Sequence, residues 1–397
     1  MLGDNLLRSK HEALTHGAVT HPMESFDIAL IGAGIAGASL AWRLAEHARV
    51  VLVEREEQPG YHSTGRSAAM FMASYGPPMV RALTRASRSF YEAPPEGFTP
   101  TPILAPRGVL YVAAPGQLAV LNRVQAELQA TGTALECCTR EQALLHAPCL
   151  RPEQVAGALY EVDAMDIDVH ALHSAYLRGF KRRGGTLLTS HELVAARHVG
   201  GAWELRFANG QALRAKQVVN AAGAWADAVA VMMGAKPLGV QPRRRSAFCF
   251  MAPEGVDARH WPTVCAIDDS WYFKPDAGQL LGSPANADDV PAHDVQPEAI
   301  DIATGIARIE AMTTLAIRRP TRTWAGLRSF APDGELVVGH DVQVPGLFWL
   351  VGQGGYGIQS AAGAALLADS LLRGTPLPDL LREQGVVPAA LAPARLA

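Results

Sequence analysis

Gly32-Ala-Gly34-Ile-Ala-Gly37 follows directly on the apolar run Phe26-Asp-Ile-Ala-Leu-Ile31, and a carboxylate, Glu54, closes the next apolar run, Val50-Val-Leu-Val-Glu54. Those residue types at that spacing can hold a dinucleotide. Gly32 lets the chain turn sharply out of a strand, Gly34 lets a pyrophosphate approach the backbone, and Gly37 lets the following helix pack against the sheet. The N-terminus of that helix then directs free N–H groups at the phosphates. Glu54 falls where it could accept both hydroxyls of an adenosine ribose, and its charge would repel a 2′-phosphate. FAD or NAD is therefore favoured over NADP. The bland alternative is a structural glycine turn in some other α/β protein. The strand before the motif, the helical pattern after it and the distant carboxylate argue together against that alternative.

The elements that must position this motif recur along the chain. A polar, glycine-containing loop over residues 58–69 offers hydroxyls and N–H groups to phosphates, and within it Arg66 is either a phosphate partner or a solvated loop charge. Val218-Val-Asn-Ala-Ala-Gly-Ala-Trp225 reads as a strand entering a turn of small residues. Gly346-Leu-Phe-Trp-Leu-Val351 reads as another strand, entering Gly352-Gln-Gly-Gly-Tyr-Gly357 and an alanine-rich helix over 360–372. Three such elements, far apart in sequence, point to one nucleotide-binding domain assembled from separate pieces, with the intervening pieces forming another domain. Between them, helical spacing is expected over 116–130 and 168–180, the latter closed by Gly184-Gly185, and strands over 186–189, 192–197, 203–207 and 217–220.

At 397 residues, with 49% hydrophobic and 18% charged residues, the chain has the composition of a globular enzyme of one large or two ordinary domains. A net charge of −3 gives no electrostatic reason to expect nucleic acid or a membrane surface, and no apolar run reaches transmembrane length. The five cysteines lack Cys-x-x-Cys spacing and read as free thiols of a reducing, cytoplasmic compartment. His170 and His173, the one close histidine pair, read as a solvated helix face rather than a metal site, and no metal is expected. Residues 1–23 read as a disordered extension, with Met23 an alternative start.

Together the fingerprint with Glu54, the turn Asn220-Ala-Ala-Gly-Ala-Trp225, Ala331-Pro-Asp-Gly334 and Gly354-Gly-Tyr-Gly357 resemble the D-amino-acid oxidase superfamily of FAD-dependent oxidoreductases. Within it the chain is similar to the bacterial D-arginine dehydrogenases, through Pro59-Gly-Tyr-His-Ser-Thr-Gly-Arg-Ser-Ala-Ala69, Arg244-Arg-Ser-Ala-Phe248, Lys274-Pro-Asp-Ala-Gly278, Leu281-Gly-Ser-Pro-Ala-Asn-Ala287 and Thr323-Trp-Ala-Gly-Leu-Arg-Ser-Phe330. The resemblance implies an α/β, Rossmann-like FAD-binding domain built from residues 24–100, 160–233 and 325–397. A substrate domain with a mixed, largely antiparallel sheet would take 101–159 and 234–324. It also implies FAD, expected to be non-covalent, contacted by Gly32, Gly34, Ala36, Gly37, Glu54, Arg55, Ser63, Thr64, Gly65, Arg66, Ser67, Ala68, Ala69, Met70, Leu193, Gly223, Trp225, Gly354, Gly355, Tyr356, Gly357, Ile358 and Gln359. The positive end of the C-terminal helix would face the flavin pyrimidine.

By the same resemblance Arg245, Arg328 and Tyr272 form a clamp for a substrate carboxylate, while Tyr75, Gln359 and the Gly355 carbonyl orient the amine and close the site. Read without it, Arg243-Arg-Arg245 could be a solvated basic turn and Tyr272, between Trp271 and Phe273, a packing residue. The departures bear on the substrate. Val109 stands where the arginine enzyme has an acid that receives the substrate guanidinium, and Met70 and Met72 replace a histidine and a threonine. A cationic side chain would be desolvated there without a partner, and methionines give a flexible apolar lining. The expectation is oxidative deamination of neutral, apolar or aromatic D-amino acids to 2-oxo acids and ammonia, by a dehydrogenase or an oxidase whose electron acceptor is a quinone, a dye-like acceptor or oxygen. The competing expectations are a glycine- or sarcosine-type amine oxidase, a nicotinamide-dependent dehydrogenase and a non-catalytic flavin-binding protein.

Overall fold

The computed structural model describes residues 23–130 and 133–396. The extension expected at 1–23 therefore lies, except for Met23, outside the described residues. Two large sheets carry the molecule. The first runs Leu193–Val199, Ala202–Phe207, Ala212–Asn220, Glu24–Ile31, Val50–Val53, Thr186–Leu188. Its centre is parallel: Glu24–Ile31 lies between Ala212–Asn220 and Val50–Val53, and the end of Ala212–Asn220 pairs in parallel with Leu347–Val351. Parallel strands covered on both faces must be apolar throughout. Ile28, Leu30, Val50 and Leu52 accordingly face one core, while Ala29, Ile31, Val51 and Val53 face another.

Helices Ile35–Leu44, Pro78–Glu92, Val169–Arg182 and Gly357–Arg373 supply the first of these cores. Three of the helices and the glycine turn show why the sequence was readable here. Asp168 caps its helix by accepting from Ala171 N at 2.8 Å, and Gly184 leaves it at φ 82°. Expected helix 116–130 is Leu118–Ala130, and expected helix 360–372 is Gly357–Arg373. Any Cβ at Gly37 would overlap the Gly32 carbonyl, so the first helix can seat against its turn only with glycine there.

The second sheet has nine strands and is antiparallel except where Thr263–Ala266 runs parallel to Val109–Ala113. Arg322–Phe330 pairs along its whole length with Gln241–Phe250 in this sheet. The boundary expected at residue 325 thus falls inside a strand, because nine consecutive ladder partners hold Arg322–Phe330 to the second sheet. A three-stranded sheet of Met70–Phe71, Leu104–Pro106 and Met165–Ile167 joins the two layers. Among the described residues no helix is long and apolar enough to cross a membrane, and no cluster of three metal-ligating side chains occurs.

Candidate active site

A cleft opens at the C-terminal ends of the parallel strands and continues to the face of the second sheet. Of the expected site residues it is lined by Gly32, Gly34, Ala36, Glu54, Arg55, Ser63, Thr64, Arg66, Ser67, Ala68, Leu193, Gly223, Trp225, Arg245, Tyr272, Arg328, Gly354, Gly355, Gly357 and Ile358. Gly37, Gly65, Ala69, Met70, Met72, Tyr75, Val109, Tyr356 and Gln359 are not among its lining residues.

The dinucleotide end is held by short polar links. Glu54 is buried, and its Oε2 accepts from Ala33 N at 2.9 Å while Oε1 accepts from Glu56 N at 3.0 Å. Thr64 Oγ1 accepts from Ile35 N at 3.0 Å, and Ser63 Oγ donates to Leu327 O at 2.6 Å, so the loop joins the first helix to the second sheet. The Trp225 and His62 rings meet at a tilt of 50° with centroids 4.6 Å apart, and the Arg55 guanidinium lies 4.7 Å over the Trp225 ring. Arg66 is neither free for phosphate nor solvated. It pairs with Asp294 and donates to Val295 O and Ala325 O at 2.9 and 3.1 Å, fastening the loop across the cleft. His173 corrects the solvated-face reading: it is 7% exposed and hydrogen-bonds Ala33 O at 2.8 Å, and burial lowers its pKa. A core histidine was hidden there because the apolar stripe of a helix does not announce which polar residue joins it.

At the other end, strand alternation decides what the arginines do. Arg243 pairs with Asp289 at 2.9 Å and lies over the Phe330 ring, and Arg244 meets Asp288, Glu298 and Asp301. Arg245, on the same face as Arg243, lies diagonally across the ladder from Arg328, since Arg243 and Arg328 are register partners. Neither Arg245 nor Arg328 forms an ion pair among the described residues, and Arg245 Nε is buried without any hydrogen-bond partner. Burial and the neighbouring Arg328 pull the Arg245 pKa down to about 10. Burial also works against the charge on Arg328, but Tyr75 and Tyr272 outweigh it and raise its pKa. Arg328 Nη1 donates to Tyr75 Oη at 3.0 Å. Tyr272 faces the cleft, whereas Trp271 and Phe273 turn into the core. A Cβ at Gly355 would lie 2.8 Å from Arg328 Nη1, so glycine there lets the guanidinium rest on the backbone.

Gln359 is 2% exposed and reaches backward: Oε1 accepts from Met72 N at 3.4 Å, and Nε2 donates to Tyr75 O at 3.2 Å and Thr84 Oγ1 at 3.0 Å. Its part in the site is to hold the segment carrying Tyr75. Met72 and Val109 pack with Tyr111, Leu159 and Ile267 in an apolar cluster, which Met70 flanks. Met70 Sδ lies 3.2 Å from Thr263 Oγ1 and 3.8 Å from Lys274 Nζ. Lys274, 5% exposed, and Arg107 share the single carboxylate of Asp166, each at 2.6 Å. Sequence reasoning missed this triad, and also Ser329, whose buried Oγ in the cleft has no hydrogen-bond partner among the described residues.

The sequence matches the DAO family, FAD dependent oxidoreductase, over residues 27–370. The chain belongs to this family. It is 23% identical over 366 residues to a glycerol 3-phosphate dehydrogenase of Caloramator mitchellensis, covering 88% of this chain and 74% of that one. Its fold is similar to glycine oxidase from Geobacillus kaustophilus, with a TM-score of 0.79 at 23% identity over 89% of this chain and 96% of that one. It is likewise similar to FAD-bound L-alpha-glycerophosphate oxidase from Mycoplasma pneumoniae, with a TM-score of 0.80 at 17% identity over 88% and 95%.

FAD is the cofactor of the family, and the donor set of the cleft fits it. The helices Ile35–Leu44 and Gly357–Arg373 both begin at the cleft without a side-chain bond from their N-cap residues. Two buried polar atoms of the lining, Arg245 Nε and Ser329 Oγ, lack hydrogen-bond partners among the described residues.

Proposed function

We propose that the protein oxidises free D-amino acids with neutral side chains to 2-imino acids, which hydrolyse in water to 2-oxo acids and ammonia. The observation that carries this reading is the pair of part-buried guanidiniums, Arg245 and Arg328, which face Tyr272 at the end of a FAD cleft and form no ion pair among the described residues, Asp269 acting on both only from a longer distance. Two neighbouring cations at a cleft wall, offset only by the more distant Asp269, call for an anion from outside the chain, and an α-carboxylate presents two oxygens to them. Bound FAD supplies a hydride acceptor, flavin N5, for the substrate Cα–H. The chain's own part is orientation: the guanidiniums fix the carboxylate, Tyr75 steadies Arg328, and the Gly355 carbonyl is an acceptor for the amine.

The D configuration rests on the resemblance of the segments 59–69, 274–278, 281–287 and 323–330. The preference for neutral side chains has three supports. Val109 brings no carboxylate. Glu161, its cross-strand partner, is engaged with the N–H groups of Ala73 and Ser74. Asp166, the carboxylate beside Met70, is already shared by Arg107 and Lys274, which leaves it engaged rather than open to a further cation.

A glycine- or sarcosine-type activity is the second reading. It is favoured by the close packing of Met72 and Val109, at 7% and 0% exposure, and by their absence from the cleft lining. The deciding experiment is anaerobic titration of the FAD-loaded protein with D- and L-leucine, phenylalanine, methionine and arginine, and with sarcosine, followed by visible absorbance. Bleaching of the flavin by neutral D-enantiomers alone is the expected result. Reduction by sarcosine in preference to them would establish the second reading, and reduction by none would refute both.

A further inference from the structure

Glu161 ends the strand Gly157–Glu161, opposite Val109 in the ladder, and is 1% exposed. A buried carboxylate is costly unless cations or several donors attend it. Among the described residues no cation does. Burial pushes its pKa up, and the groups that offset this are the hydrogen bonds from Ser74 and Ala73. Oε1 accepts from Ala73 N at 2.7 Å and from Ser74 N at 3.3 Å, Oε2 accepts from Ser74 Oγ, and that hydroxyl in turn lies 2.8 Å from Tyr111 Oη. Every one of these donors belongs to the two residues before Tyr75.

The same segment is gripped from the opposite side by Gln359, through Met72 N and Tyr75 O. The backbone from Met72 to Tyr75 is thus fixed at four consecutive residues by two side chains from distant parts of the chain. At its end the Tyr75 hydroxyl accepts from Arg328. Rotation of the segment by a few tenths of an ångström would move that hydroxyl off the guanidinium.

We propose that Glu161 is a positioning residue for substrate-carboxylate binding: it acts through Ala73 and Ser74 to hold Tyr75 against Arg328. The proposal rests on the clamp reading above. It also accounts for a buried carboxylate that has no cation beside it among the described residues and is held by Ala73 and Ser74.

The test uses FAD-loaded protein and propionate, a carboxylate without an amine, titrated by its perturbation of the flavin spectrum. Glu161→Leu and Tyr75→Phe are each expected to raise the propionate Kd about tenfold, the loss of one hydrogen bond to a charged group. The double variant should be no weaker than either single one. Glu161→Gln, which keeps one acceptor for the backbone N–H groups, should bind nearly as the parent does. Ser74→Ala provides a milder perturbation of the same linkage and should weaken binding in the same direction, with FAD content unchanged. Normal propionate binding by Glu161→Leu and Ser74→Ala, or multiplication of the Glu161→Leu and Tyr75→Phe effects, would overturn the proposal. Arg245→Met separates the two readings: unchanged propionate binding in that variant removes the clamp. The hold of Glu161 on the segment is then judged by amide exchange at Ala73 and Ser74, which Glu161→Leu must quicken if the proposal stands and leave unaltered if it does not.

Discussion

Replacement of Arg245 by methionine should make the protein more heat-stable and a much poorer enzyme. The side chain is part-buried in the cleft wall, its Nε has no hydrogen-bond partner among the described residues, and burial together with Arg328 brings its pKa down to about 10. That lowering corresponds to a penalty of roughly 3 kcal/mol on the charged form. Methionine keeps most of the length and discards the charge, so about 1–3 kcal/mol of stability should return, a rise of a few degrees in Tm at most for a chain this long. On the proposed function the same substitution removes one of the two cations that hold the substrate carboxylate. Truncating one partner of an enclosed charge pair costs about 2–5 kcal/mol, or roughly thirtyfold or more in substrate affinity. Differential scanning of the FAD-loaded protein, with and without propionate, alongside anaerobic flavin reduction at varied D-amino acid, reads both effects. Propionate should protect the parent from heat and leave Arg245→Met unprotected. A variant that melts lower than the parent and keeps its KM within twofold would mean that Arg245 is a structural ion-pair member, and the reasoning from unpaired charge would fail.

Gly355→Ala places a methyl 2.8 Å from Arg328 Nη1 and 3.0 Å from Cζ, so it should raise KM about tenfold or more by displacing the guanidinium while the flavin content of the purified protein stays the same. The buried His173 has a pKa below its ordinary value, so the stability it contributes is complete above about pH 6.5 and is lost as pH falls through the lower folded-state value. Because it bonds Ala33 O inside the glycine turn, FAD release measured by fluorescence should increase on acidification below pH 6.5, and His173→Gln, which can donate without titrating, should flatten that dependence. Val109→Glu sets a second carboxylate opposite Glu161 and should lower Tm, with D-arginine restoring Tm and becoming a better substrate. Unchanged turnover of D-arginine in that variant would count against Val109 as a determinant of side-chain charge.

How far the sequence could be read followed from how local each requirement was. The requirement for glycine at Gly37 is dictated by the Gly32 carbonyl in the same turn, and the helix Val169–Arg182 carries its own Asp168 cap and Gly184 exit, so both were legible. Most of the second sheet was not. Thr263–Ala266 finds its parallel neighbour in Val109–Ala113, and nothing within four residues specifies a partner so far back in the chain. The strand Arg322–Phe330 was cut at 325 for the same reason: its register with Gln241–Phe250 is a property of two segments and neither shows it alone.

The arginines make the point in chemical terms. Arg243, Arg244 and Arg245 are identical in sequence type and adjacent, and whether they form a solvated turn or a binding site cannot be decided by composition. Once Gln241–Phe250 is a strand, its period of two sends Arg244 to the acids Asp288, Glu298 and Asp301, and Arg245 toward Arg328. The third, Arg243, reaches Asp289 and the Phe330 ring at the sheet edge. Stability alone would favour a counter-ion for Arg245 as well. On the proposed function, the lack of an ion pair for Arg245 among the described residues, where Arg243 and Arg244 each have one, gives the pair Arg245 and Arg328 its meaning: the substrate would bring the missing charge, and affinity for a carboxylate would be the free energy released when it arrives.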